Sequence, residues 1–310
     1  MTPPSEPRDR GWSEAPWRTR LLRRLRLPPA LLAPLASHSA RWAELAEDLR
    51  HWQKRRAEST AAEWRRATSS YSVLVYHRFA GELKPGQERI DIARRRFRRQ
   101  LRLLRALGFK PLPLDDLLAF HRGELNELPR RRFAITVDDA MADAVEPLRR
   151  AAGLSPQLFV PTAELGGSAH WIDGEPVARW EEIRQLAAAG VAIGSHTRHH
   201  RRLTQLGAAE REVELVGSLA ELREQVPTAG AVIAYPNGDH DDAVCAAAAA
   251  AGYEAAFTTE KGRNDAATDP YRLRRVSVHG ADGALAVLWK VLTGEALPAR
   301  WPRLRRQARF

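Results

Sequence analysis

From residue 72 onward, short apolar runs alternate with helical stretches, and that rhythm leaves few architectures open. The runs are SVLVY (72–76), FAITV (133–137), QLFV (157–160), VAIG (191–194), AVIAY (231–235) and EAAFT (254–258). Each is long enough for a strand, too short for a helix, and apolar on both faces, as buried strands are. Amphipathic stretches fill the intervals near 93–107, 141–152, 178–189, 207–225 and 241–252. Gly108, Gly190 and Gly252 each stand just past the end of one of them, where a left-handed cap favours glycine. The alternation predicts an α/β domain with a parallel sheet, open or closed into a barrel. Ligands in such folds sit at the carboxyl ends of the strands.

The pattern covers residues 71–297, and the flanks read differently. Residues 1–20 are rich in proline and charge and lack the means to form a core. Over 40–66, Trp42, Leu45, Leu49 and Trp52 recur at helical spacing, which predicts a helix that packs its apolar stripe on the main domain. Residues 298–310 form a basic tail. The segment RTRLLRRLRLPPALLAPLASHSA has the basic start and apolar run of a signal peptide, but Pro28, Pro29 and Pro34 interrupt the run and Arg24 and Arg26 crowd it. The expectation is an uncleaved N-terminus that touches a membrane, with a cytoplasmic or peripheral location favoured over a secreted one. No stretch approaches the roughly 18–20 apolar residues of a membrane span.

A formal charge of +11 suggests nucleic acid until it is divided along the chain. Residues 71–297 carry 30 basic and 30 acidic side chains, so the surplus lies in the ends: +6 in 1–70 and +5 in 298–310. Basic ends rich in arginine and tryptophan suit an anionic membrane surface or a polyanion. The neutral middle contains no nucleic-acid motif, and no nucleic-acid partner is expected. The single cysteine, Cys245, excludes an intramolecular disulfide; its alanine-rich surroundings mark it as a small buried residue.

The strand ends carry the chemistry. SVLVY is followed by His77, FAITV by Asp138 and Asp139, VAIG by Ser195 and His196, and AVIAY by Pro236, Asn237 and Gly238. Four strands thus end in groups that bind metals or move protons. Adjacent carboxylates repel and are costly to bury, and a divalent cation removes that cost. A helix N-cap needs only one aspartate, so the pair points to a site. His196 and His200, four apart, share one face if the segment is a helical turn, and His199 falls off that face. With Asp139 they make three protein ligands and leave a position open, the arrangement of a catalytic zinc site.

The order ITVDD, SHTRHH, AYPNG resembles the polysaccharide deacetylase family of metal-dependent carbohydrate esterases. Landmarks such as YHRF, HRRLTQL and AAGYEAAFTT extend the resemblance over roughly residues 72–280. It implies a distorted (β/α) barrel, here with an added N-terminal helical segment. It also implies a divalent metal, most simply Zn2+, on Asp139, His196 and His200, with Asp138 as general base. The early LVYH resembles the permuted branch that begins with a YH strand, which makes His77 the expected general acid; His279, after VSV, is the alternative.

Departures from the family pattern are specific. Val137 and Ala140 replace the phenylalanine and glycine of Thr-Phe-Asp-Asp-Gly, and alanine in a glycine conformation costs about 1 kcal/mol. Asn237 replaces an aromatic residue; its backbone N–H is the expected oxyanion donor, with Tyr235 beside it as a substrate contact. Ala234 stands where many members have an arginine near the base, and Arg275 in YRLRRVSV is expected to supply it. The implied reaction is metal-assisted removal of an N-acetyl group from an amino sugar in a polysaccharide, oligosaccharide or glycolipid. Alternatives are a deformylase or amidohydrolase acting on another N-acyl compound, and a catalytically impaired glycan-binding homologue.

Overall fold

A computed structural model of the protein describes residues 70–81 and 90–296. The proline-rich start, the helix expected over 40–66 and the tail at 298–310 lie outside the described residues, as does the membrane contact assigned to the two ends. Among the described helices none is long and apolar enough to cross a membrane.

Alternation of strand and helix dominates the described chain. Strand β1 (Ser72–Tyr76) leads into the short pair β2 (Arg78–Ala80) and β3 (Asp91–Ala93), then helix α1 (Arg94–Ala106). Next come β4 (Lys110–Pro111), α2 (Leu114–His121), β5 (Arg132–Val137), α3 (Val145–Ala151) and β6 (Gln157–Val160). A small antiparallel hairpin, β7 (Ser168–Ala169) and β8 (Glu175–Pro176), precedes α4 (Trp180–Ala188) and β9 (Ala192–Ser195). The chain continues through α5 (Ala208–Gln225), β10 (Val232–Ala234), α6 (Asp242–Ala250), β11 (Ala255–Phe257), β12 (Val276–Ser277) and α7 (Ala284–Thr293). The six expected strands and five expected helices form within a few residues of their anticipated ends. Helices α2 and α7 lie outside that reading: α2 is only eight residues long, LDDLLAFH, and α7 is apolar almost throughout, so neither displays a clear helical period. Gly108, Gly190 and Gly252 adopt φ of 77°, 95° and 94° past their helices.

The main sheet runs β11-β10-β9-β6-β5-β1-β12, with β4 paired to the start of β5, and every pairing in it is parallel. Leu273, just before β12, also bridges in parallel to Phe257 of β11. The two ends of the strand order therefore meet, and the sheet curls into a barrel of the (β/α) type.

Strand parity decides what faces the inside. Val73, Ala134, Phe159, Val232, Ala234, Phe257 and Leu273 form one buried cluster within the curl. Ile233, Tyr235 and Ala256, on the opposite parity, pack outward with Leu215, Leu219 and Val244 of α5 and α6. Gly194 belongs to the inner face, where a β-carbon would meet Phe159 at 2.7 Å and Val232 at 2.8 Å. Counting in twos past the strand ends, His77, Asp138, His196 and Arg275 inherit the inner parity. One face of the sheet is apolar along its strands and polar at its carboxyl rim.

Candidate active site

A cleft of about 620 Å³ opens at that rim, lined by His77, Asp138, Asp139, His196, His200, Asn237 and His279 among others. This size is within the range of small-molecule sites.

Asp138 continues the inner parity of β5 and is buried. Arg275, also fully buried, donates from Nη1 to its Oδ1 at 2.7 Å and from Nη2 to its Oδ2 at 2.8 Å. The guanidinium is itself fixed by Thr258 O at 2.8 Å and lies 5.9 Å from the ring centres of Phe159 and Phe257. Burial opposes ionisation of Asp138, but the charges of Arg275, His196 and His77 outweigh it and hold the carboxyl below its ordinary range. Arg275 therefore stands beside Asp138, where it was expected.

Asp139 has the wrong parity to share a face with Asp138. It reaches the cleft because the chain turns there, with φ of 71° at Asp139 and 49° at Ala140. Alanine does stand in the left-handed conformation that glycine prefers, and it is buried. The Asp139 carboxylate meets His196 Nε2 at 3.5 Å and His200 Nε2 at 3.2 Å. Burial works against its charge, yet the two imidazoles and His77 hold its carboxyl well below the usual range.

The histidine segment is not the helical turn expected from its spacing. Residues 196–200 form an irregular loop, with Thr197 at φ 66° and His200 at φ 56°. The two rings converge because left-handed residues fold the loop back, and their centroids lie 4.8 Å apart. His196 Nδ1 donates to Ala234 O at 2.7 Å, which turns Nε2 toward the site. Trp171, from the β7–β8 hairpin, stacks on His200 at 4.3 Å and 14°. His199 turns away, although not through helical spacing, and bonds elsewhere. The buried Glu214 of α5 accepts from His199 Nδ1 at 2.8 Å and from the backbone N–H groups of Arg198 and His199 at 2.9 Å each. Neither Glu214 nor Trp171 carried a signal in the sequence: one reads as a surface helix residue and the other as a loop aromatic.

Asp139, His196 and His200 form a metal-capable group, with their ligand atoms within 4.8 Å of one another. A buried carboxylate between two imidazole Nε2 atoms, one of them backed by a carbonyl, suits a divalent ion of the zinc type.

The remaining expected residues divide. His77 is half-buried in the cleft, while His279 is exposed at its edge, with its N–H on Asp282 at 2.7 Å. Asn237 lines the cleft at φ 58°, and its N–H has no acceptor among the described residues. Its turn is tight: a β-carbon on Gly238 would meet Thr259 Oγ1 at 2.1 Å. Tyr235 requires correction as a substrate contact. Its parity points it outward, it is fully buried, and its hydroxyl donates to Tyr271 O at 3.3 Å on the far side of the sheet. Cys245 is buried beside it.

Residues 126–256 match the family profile described as polysaccharide deacetylase. The protein YxkH of Bacillus subtilis (strain 168), whose name assigns it to polysaccharide deacetylases, is 23% identical over 230 residues, covering 73% of this chain and 77% of its own. Among solved structures, the Streptococcus pyogenes deacetylase PplD in complex with acetate superposes with a TM-score of 0.62 at 21% identity, over 72% of this chain and 98% of that one. IcaB from Ammonifex degensii superposes at 0.59 and 23% identity, over 77% and 97%. These likenesses establish the barrel fold.

Proposed function

We propose, for a chain that belongs to the polysaccharide deacetylase family through residues 126–256, a metal-dependent hydrolysis of N-acetyl groups on an amino sugar within a polysaccharide, oligosaccharide or glycolipid. Family membership makes the chain a hydrolase that deacetylates carbohydrate; the metal dependence, residue roles and N-acetyl substrate are our reading. The observation that carries it is the Asp138–Arg275 pair standing beside Asp139, His196 and His200 in one cleft.

Asp139, His196 and His200 would hold the ion. When bound, a divalent cation of the zinc type supplies Lewis acidity toward the amide carbonyl and toward water. Asp138, kept ionised by Arg275 in spite of burial, takes a proton from the attacking water. The Asn237 N–H, without an acceptor among the described residues, faces the oxyanion of the tetrahedral intermediate. His77 gives a proton to the nitrogen as the carbon–nitrogen bond breaks. Acetate leaves, and the sugar keeps a free amine. The catalytic unit on this reading is residues 71–297.

Acetate release from a panel of N-acetylated oligosaccharides, with and without chelator and with metal restored, tests the proposal. Release that stops with chelator, returns with metal and is absent in Asp138→Asn is the expected result. Formate release from formylated analogues without acetate release from the panel would assign a deformylase instead.

A further inference from the structure

Helix α1 carries more positive charge than a surface helix has use for. Its sequence, RRRFRRQLRLLRA, holds seven arginines and no acidic residue. Phe97, Gln100, Leu101 and Leu104 are buried, which leaves Arg94, Arg95, Arg98, Arg99, Arg102 and Arg105 exposed on the opposite side. Those six fall on one stripe about 17 Å long. Two rules of helix stability are broken to make it. Arginines crowd the first turn, where the helix dipole disfavours cations, and like charges stand four apart at Arg94 and Arg98, Arg95 and Arg99, and Arg98 and Arg102. Glutamate has similar helix propensity and would relieve both. No ion pair with a carboxylate engages Arg95, Arg98, Arg99, Arg102 or Arg105 among the described residues. Past the helix end, Arg131, which donates to Leu107 O at 2.7 Å, and the exposed Lys110 extend the track. Local rules broken repeatedly in one direction, without a compensating carboxylate among the described residues, point to a partner outside the domain.

We propose that the arginine face of α1 docks on a bilayer containing anionic lipid. Charge complementarity names the sign of the partner, and the shape of the stripe favours a plane. Its six side chains stand on the exposed side of a single helix. Helix α7 packs against α1 and leads into residues 298–310, where five arginines are interspersed with Trp301, Leu304 and Phe310. Basic residues mixed with aromatics are the chemistry of a bilayer interface. The stripe begins three residues after Asp91, which lines the cleft. A docked domain therefore holds the cleft rim close to the headgroups.

Sedimentation with vesicles tests this on the full chain and on a full-length variant carrying Arg95→Gln, Arg98→Gln, Arg102→Gln and Arg105→Gln. The vesicles are phosphatidylcholine alone or mixed with phosphatidylglycerol, at low and at physiological salt. Each arginine near an anionic surface favours partitioning by about fivefold. The native chain should bind only the mixed vesicles, more weakly as salt rises, and the variant should lose at least about a hundredfold in partitioning. All four side chains are exposed and their removal relieves like-charge repulsion, so the melting temperature should hold or rise slightly. If the fourfold variant does not fold, Arg102→Gln with Arg105→Gln carries the test, with a loss of about twenty-five-fold. Equal binding by native and variant chains overturns the proposal, as does native binding to both vesicles or to neither. A variant that loses only its affinity for duplex DNA would make a polyanion the partner and overturn it too.

Discussion

Arg275 grips both carboxylate oxygens of Asp138, at 2.7 and 2.8 Å, across 137 residues of sequence and without exposure of either group. Two charges withdrawn from water in this way are tolerable only as a pair. Breaking a buried pair by removing one partner costs about 3–5 kcal/mol, because the other is left uncompensated. Arg275→Met should therefore unfold at markedly lower denaturant and abolish acetate release. Arg275→Lys, a point charge without the planar fork, should fold better than the methionine variant yet remain impaired. Denaturant melts read beside turnover separate the two losses; a native-like Arg275→Met would remove the pair from both stability and mechanism.

Glu214 ties the loop that presents His200 through three hydrogen bonds to residues 198 and 199. Glu214→Ala strips the acceptor from two backbone amides and one imidazole. The expected cost is about 2–3 kcal/mol of stability and about 10–100-fold in metal affinity. His199→Ala should cost less, since its side chain is 41% exposed and the backbone bonds survive. Metal titration of the three proteins, followed calorimetrically, gives the ranking directly.

Ala140 sits at φ 49° in a buried turn between Asp139 and the backbone bond from Ala178 N to Ala140 O. Ala140→Gly relieves left-handed strain of about 1–2 kcal/mol and pays back part of it as unfolded-state entropy. A net gain of about 0.5–1 kcal/mol is expected, with turnover retained. A lower melting temperature for the glycine variant would show that the β-carbon packs usefully here.

Removal of His200 tests the three-residue cradle. His200→Ala deletes one imidazole and the surface against which Trp171 stacks. Zinc bound per protein, by elemental analysis, should fall to near zero at micromolar free metal, with the fold intact by circular dichroism. Retention of stoichiometric zinc would place the ion elsewhere.

His121, whose Nε2 meets the Tyr71 hydroxyl at 2.8 Å, is shifted downward by burial, with Asp265 opposing. A depressed folded value means the unfolded chain binds the extra proton first. The stability contributed by neutral His121 is therefore complete above the unfolded value of about 6.5 and is lost as pH falls through the lower folded value. His121→Gln should flatten the stability profile below about pH 6.5, measured by denaturant melts at stepped pH.

Much of this site was legible one strand at a time. Apolar runs of four or five residues set the strands, and parity within them carries Val73 to His77, Ala134 to Asp138 and Leu273 to Arg275 onto one rim. Side-chain period in a strand is local, so residue order alone determines it, and the family motifs mark the same rim. What only the tertiary structure decided depends on backbone turns and on partners distant in sequence. Left-handed residues at Asp139, Ala140 and His200 redirect side chains that periodicity would have sent elsewhere. Closure of the sheet brings Arg275 to Asp138, helix α5 supplies Glu214, and a hairpin lays Trp171 on His200. The outward face of β10 claims Tyr235 because its neighbours there are apolar. Charge follows the same division: residues 71–297 balance to zero in composition, but folding gathers six arginines onto one side of α1, because composition has no direction and a helix face does.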